Sequence, residues 1–194
     1  MRVYMVRHGE SEGNAKRLIY GWQDYELTEK GEEDARRCAA QLATAGFERC
    51  YTSELRRAWH TAKICTEGRG VPVVRLRALN EQFMGEYEGK PFAEFLQERG
   101  EEAERMLEDW SQAVLPGGES FGGVYRRVAS AAEEIRAFGR DVLVAAHNGS
   151  LSALCAHLLG LGEEGAMCFN FEHGRVSLLE CPERGRPWIE YLNR

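Results

Sequence analysis

The chain has no apolar run approaching the roughly 18 to 20 residues that a membrane-spanning helix needs, and its first residues carry no cationic, apolar, small-residue leader. It therefore reads as cytoplasmic, with no membrane partner. Positive charge is not in excess either: 25 Lys and Arg stand against 31 Asp and Glu, giving a net charge of −6 and a pI near 5.5. Nucleic acid, whose binding needs a basic face, is excluded as a partner, and any anion must be met by a local basic pocket. Cysteines at metal-ligating spacing are also missing. Cys38, Cys50, Cys65, Cys155, Cys168 and Cys181 form no C-x-x-C and pair with no His at a metal-type interval, which predicts free thiols and no metal site. The stretch Pro116-Gly117-Gly118-Glu119-Ser120 has no following Lys and is no P-loop. Repeats, linkers and low-complexity tracts are absent, so 194 residues at 43% hydrophobic content predict one domain with a substantial core.

What is present is an alternation of short apolar runs and amphipathic stretches. Met1 to Val6 predicts a buried strand running straight into Arg7-His8-Gly9. After a polar loop from Ala15 to Glu26, a helix is predicted over 28–45, with Ala35, Cys38, Ala39, Leu42 and Ala43 as its apolar stripe and Gly46 as its stop. Phe47 to Thr52 predicts a second strand, with Ser53 as N-cap of a helix reaching Glu67. Val71 to Leu76 predicts a third, followed by Glu81. Two short charged helices split around Gly100 predict a cap insertion over about 91–116. A long helix to Phe138, a very apolar and central strand over Asp141–Ala146, a helix from His147-Asn148-Gly149 to Leu159, and two closing strands complete the chain. This pattern predicts a three-layer α/β/α fold with a mostly parallel sheet and an antiparallel edge.

Polar groups recur at the predicted strand exits: Arg7-His8, then Ser53 with Arg56 and Arg57, then Glu81, then His147-Asn148. In an open α/β sheet ligands sit outside the carboxyl ends of the strands, so one crevice gathers them all, and Gly9 would let backbone approach a ligand there. The guanidinium fork fits phosphate oxygens, and neutral imidazole is a competent nucleophile near pH 7. The pairing points to phosphoryl chemistry.

Arg7-His8-Gly9-Glu10-Ser11 with Asn14 resembles the first signature of the histidine phosphatase superfamily, which includes phosphoglycerate mutases and many small phosphatases. Tyr51 to Ala62 resembles its second motif, Glu81 to Gly89 its acid motif, and Gly118-Glu119-Ser120 and His147-Asn148-Gly149 its later landmarks. The resemblance covers nearly the whole chain. It implies His8 as nucleophile, Arg7, Arg57, His147 and Asn14 as the phosphate cage, Glu81 as proton donor, and Tyr20 and Gly21 as substrate-loop residues. Met84, Tyr87 and Asn148 depart from the usual pattern; the Asn148 amide is placed to reach phosphate or to narrow the pocket. The implied activity is metal-independent and cofactor-free hydrolysis of a small phosphomonoester by a monomer or homodimer, with α-ribazole phosphatases and broad-specificity phosphatases having this compact layout. A mutase is the alternative, opposed by a cap in which Arg99 and Arg105 are the only cations; a noncatalytic phosphate sensor is a second.

Neighbouring cations should keep His8 neutral, and the loop 20–24 together with the cap 92–110 should read the leaving group. Arg56 reads as a surface residue, His60 as peripheral, and His157 and His173 as ordinary helix and loop residues.

Overall fold

The computed structural model describes residues 1–194, apart from the side chains of Leu107 and Gln112. The apolar runs assemble as one sheet. Its strands are β1 (Arg2–Arg7), β2 (Arg49–Thr52), β3 (Val73–Arg75), β4 (Val142–Ala146), β5 (Val176–Glu180) and β6 (Trp188–Tyr191), in the order β3-β2-β4-β1-β5-β6. The first four pair in parallel; β5 and β6 form an antiparallel flank. The helices are α1 (Glu12–Ala15), α2 (Glu29–Gln41), α3 (Arg56–Thr66), α4 (Phe92–Arg99), α5 (Glu101–Glu108), α6 (Phe121–Phe138), α7 (Asn148–Leu159) and α8 (Gly162–Gly165).

The period of two along a strand divides the core. Val3, Met5, Val142 and Val144 pack with Val124, Val128, Ile135, Leu151 and Leu154 of α6 and α7. Tyr4, Val6, Leu143 and Ala145 face the other way, onto Cys38 and Leu42 at α2 and Ala62 and Cys65 of α3. The result is the three-layer architecture expected, with β4 buried at its centre as expected. A smaller third cluster, Ile19, Tyr87, Phe95, Ala103 and Leu115, lies beneath α4 and α5, which part at Gly100 with its φ of 48°. Among the described residues, no helix is long and apolar enough to cross a membrane.

Two predicted boundaries move for identifiable reasons. The helix predicted over 28–45, observed as α2, ends at Gln41, and Gly46 does not stop it: Arg69, from beyond α3, donates to the carbonyls of Leu42 and Ala45 and closes the helix end from outside. Ser53 is not the N-cap of α3. The helix starts at Arg56, whose N–H donates to Asp24 Oδ1 at 2.9 Å, so the cap is supplied by a distant loop, and the Ser53 hydroxyl, which accepts from Leu55 N at 3.3 Å, keeps its proton for another partner.

Candidate active site

Sheet order places the chemistry. β1 and β4 are parallel neighbours with Arg7 opposite Ala146, and the His8 N–H donates to Ala146 O at 2.9 Å, so the residues leaving the two strands emerge side by side. The His8 and His147 rings lie 5.0 Å apart. β2 flanks β4 on its other side and leads through Ser53 to Arg57 on the first turn of α3. Ser53 Oγ lies 2.8 Å from His147 Nε2, the contact that replaces its expected capping role.

His8 is buried, and its Nδ1 lies 2.8 Å from the Gly9 carbonyl. A carbonyl only accepts, so Nδ1 carries the proton and Nε2 of the neutral ring keeps its lone pair. Burial is the main force holding the His8 pKa well below its ordinary value; Arg57, His147, Arg7 and His173 add to it. The ring is neutral as expected, but desolvation leads rather than the cations. His147 is likewise pushed well below, by burial first and then by Arg57 and Arg7.

The two arginines are held by main-chain carbonyls. Arg57 is buried; it donates to Gly21 O at 2.6 Å and Gln23 O at 3.2 Å, and its guanidinium sits 4.7 Å from the Tyr20 ring centre. Arg7 donates to Phe171 O at 2.9 Å. Arg7 Nε, Arg57 Nε and His147 Nδ1 are buried without a hydrogen-bond partner. Orphaned buried polar nitrogens are costly, and three of them around one imidazole mark a site shaped for something that accepts hydrogen bonds. Arg7, His8 and Arg57 line a cavity of about 500 Å³, on which Asn14, Tyr20, Glu81 and Asn148 also open, and His147 lies buried behind His8. Among the described residues, no cluster of three or more His, Cys, Asp or Glu is placed to hold a metal ion.

Matching these motifs, the family profile described as the histidine phosphatase superfamily (branch 1) covers residues 3–194. The chain belongs to the histidine phosphatase superfamily. An adenosylcobalamin/α-ribazole phosphatase of Salmonella typhimurium is 37% identical over all of this chain and 96% of its own length. A 2,3-bisphosphoglycerate-dependent phosphoglycerate mutase of Cytophaga hutchinsonii is 36% identical over 92% of this chain and 86% of its own. The crystal structure of an α-ribazole phosphatase from Shigella flexneri superposes with a TM-score of 0.91 at 30% identity, covering all of this chain and 96% of that one.

The rest of this histidine phosphatase site distinguishes residues that face the cavity from residues that hold others in place. Glu81 stands at the rim, its carboxylate accepting from Gln82 N at 2.9 Å and Gly149 N at 3.2 Å. Asn14 directs Oδ1 to Ser11 N and Oγ, which leaves its Nδ2 uncommitted. Gly21 serves the loop rather than a ligand: its carbonyl holds Arg57, and a Cβ there would strike the Gln82 carbonyl. Gly9, expected to open space for a ligand, instead lets β1 pass against α2, where a Cβ would meet the Gly31 carbonyl. Asn148 accepts from Phe171 N at 2.7 Å, and Arg7 grips the carbonyl of the same residue.

Several supports escaped sequence reasoning. One Glu88 carboxylate gathers the N–H groups of Gly21, Trp22, Gln23 and Met84 at 2.8 to 3.0 Å, fixing the loop whose carbonyls hold Arg57. Arg127 donates to the carbonyls of Ala78, Asn80 and Glu81 and to the Glu119 carboxylate, so it sets the turn that presents Glu81. His173, read as an ordinary loop residue, sits with Nδ1 on the His8 carbonyl and its ring 5.1 Å from that of His8. No local pattern marks it; only the pairing of Arg7 with His173 beyond the end of β1 brings it there. Arg56 is a surface residue as expected, ion-paired to Glu26.

Proposed function

We propose that the protein is a cytoplasmic, metal-independent phosphomonoesterase that works through a phosphohistidine at His8 on a small, nucleoside-like monoester such as α-ribazole 5′-phosphate. The observation that carries this reading is the neutral, tautomerically fixed His8, with unpartnered nitrogens of Arg7, Arg57 and His147 around it. A phosphoryl group seated there brings its oxygens to those nitrogens. His8 Nε2 attacks phosphorus in line, the P–O bond to the leaving group breaks, and charge on the equatorial oxygens meets preorganised donors. With the Ser53 hydroxyl proton directed to His147 Nε2, His147 Nδ1 carries the ring proton and becomes a donor beside the two guanidiniums. Asn14 Nδ2 adds a further one. Glu81, at the rim, protonates the departing oxygen and then takes a proton from the water that attacks the phosphohistidine, releasing phosphate and restoring His8.

The mutase reading keeps one specific support, the 36% identity to a phosphoglycerate mutase over 92% of the chain. Against it, among the described residues the only Lys or Arg lining the cavity are Arg7 and Arg57, both taken by the transferred phosphate, and Arg99 of the cap is bound to the Tyr87 hydroxyl and Glu102. A second phosphate or a carboxylate would find no cation of its own.

Quench experiments with a 32P-labelled monoester in the presence of EDTA should trap an acid-labile, base-stable label on His8 that is absent from His8→Ala. With 3-phosphoglycerate and added 2,3-bisphosphoglycerate, inorganic phosphate should form much faster than 2-phosphoglycerate. Label on another residue, or dependence of turnover on a divalent metal, overturns the covalent, metal-free mechanism; faster 2-phosphoglycerate makes the protein a mutase.

A further inference from the structure

Beside the phosphate pocket lies a second chamber, of about 370 Å³, which shares Arg7, Glu81, Met84, Trp110 and Asn148 with it. Its remaining walls come from Gln82, Phe121 at the start of α6, Gly149 and Ser152 of α7, and Ala166, Met167 and Phe169 just beyond α8. We propose that this chamber seats the body of the leaving group and takes a flat heteroaromatic ring, with Met167 and Phe169 as specificity-determining residues. The proposal rests on the phosphatase reading above.

Position supports it first. The chamber opens from the phosphate pocket at Glu81, the group that meets the leaving oxygen, so a substituent on that oxygen has the chamber directly before it. Its polar lining is already spent. Trp110 Nε1 donates to Gln82 Oε1 at 2.8 Å, and buried Gln82 donates to Glu119 O at 2.7 Å, so the indole is a fixed flat wall. Ser152 Oγ donates to Phe169 O at 3.2 Å, and Asn148 Oδ1 accepts from Phe171 N. What is left for an occupant is indole, phenyl and thioether surface, together with Asn148 Nδ2 at the junction of the two spaces. Aromatic rings and adaptable methionines are the surfaces that bind flat apolar rings best.

Charge supports it second. Among the described residues Arg7 is the one cation in the chamber lining, and it belongs to the phosphate. A second phosphate or a carboxylate here would be unpaired and next to Glu81, whereas a neutral ring meets no penalty. The segment after α8 thus takes a part that the sequence assigned to the loop 20–24. Of that loop only Tyr20 reaches the phosphate cavity, and its peptide groups are occupied by Glu88 and Arg57.

Two esters that differ only in the base test this: benzimidazole riboside 5′-phosphate and ribose 5-phosphate. Wild type should prefer the first in kcat/KM by about tenfold or more, the range that apolar pockets supply. Met167→Ala, at a position 43% exposed and so free of folding risk, and Phe169→Ala should each cut that ratio several-fold, with Phe169→Leu intermediate. A wild-type ratio near one, or a ratio that none of the variants changes, overturns the proposal. Hydrolysis of neither ester would instead remove the phosphatase reading. Calorimetry with the unphosphorylated benzimidazole riboside then decides separately: binding weakened by Met167→Ala upholds the chamber, and no binding to wild type overturns it.

Discussion

In the phosphate pocket the side chains that count are held by backbone carbonyls: Arg57 by those of Gly21 and Gln23 and Arg7 by that of Phe171, all from distant parts of the chain, and the buried His8 by that of its neighbour Gly9. In the chamber beside it they are Trp110, Met167 and Phe169, carried on short helical segments and their connections, with Met167 open to solvent. The first region must hold donors to within tenths of an ångström of a developing charge, because electrostatic stabilisation is paid for in advance by fixed geometry. The second needs only apolar area of roughly the right shape, and dispersion is tolerant of substitution. A fold built this way keeps its chemistry while its substrate changes, which accords with relatives named both as α-ribazole phosphatases and as phosphoglycerate mutases.

The largest effect should come from Arg57→Ala, which on the proposed mechanism removes a transition-state donor, and which also removes the anchor of the loop above it. Loss of such a donor costs about 10² to 10³ in rate, and the loss should be alike for every ester. A change in substrate preference of comparable size would erase the distinction between the two regions.

Glu88→Gln should act more weakly through the same pocket. The neutral amide has one acceptor oxygen for the four N–H groups that the carboxylate now gathers, so the loop loosens and Arg57 loses its fixed carbonyls. Misplacement by an ångström or less costs up to about 100-fold, and about tenfold in kcat/KM is expected here, with kcat falling as well as KM rising. Unchanged kcat would mean that Glu88 serves folding alone.

The smallest effect concerns stability rather than rate. Burial, with Arg7 second, pushes His173 from its ordinary 6.5 down to about 4. The folded state therefore binds its proton later than the unfolded chain does. Stability is full above pH 6.5 and declines as pH falls toward 4, because the unfolded chain takes up the proton first. At pH 5 the His173 share is about 2 kcal/mol. His8 and His147 shift in the same direction, so His173→Gln should reduce, not abolish, the loss of urea stability between pH 7 and pH 5. Equal losses in both proteins would show that His173 titrates normally.

Much of this was readable from local sequence. Strand β1 and strand β4 are short apolar runs that end in Arg7-His8 and His147, and parallel neighbours must deliver such ends to one rim; the strand, the exit and the catalytic candidate are all encoded within a few adjacent residues. The two helices around Gly100 and the long α6 were equally legible, since a helix's apolar period and the glycines that break it are local signals; the Ser120 cap of α6 was not read. What tertiary structure alone decided is a set of partnerships across long stretches of chain. Ser53 pairs with His147, 94 residues away; Glu88 holds a loop 65 to 67 residues before it; His173 meets His8 across 165 residues. The wall formed by Met167 and Phe169 belongs with these. Spacing in a sequence specifies which face of an element is apolar, but the identity of the group that satisfies a buried donor, or closes a chamber, depends on which distant segment the packed sheet brings alongside.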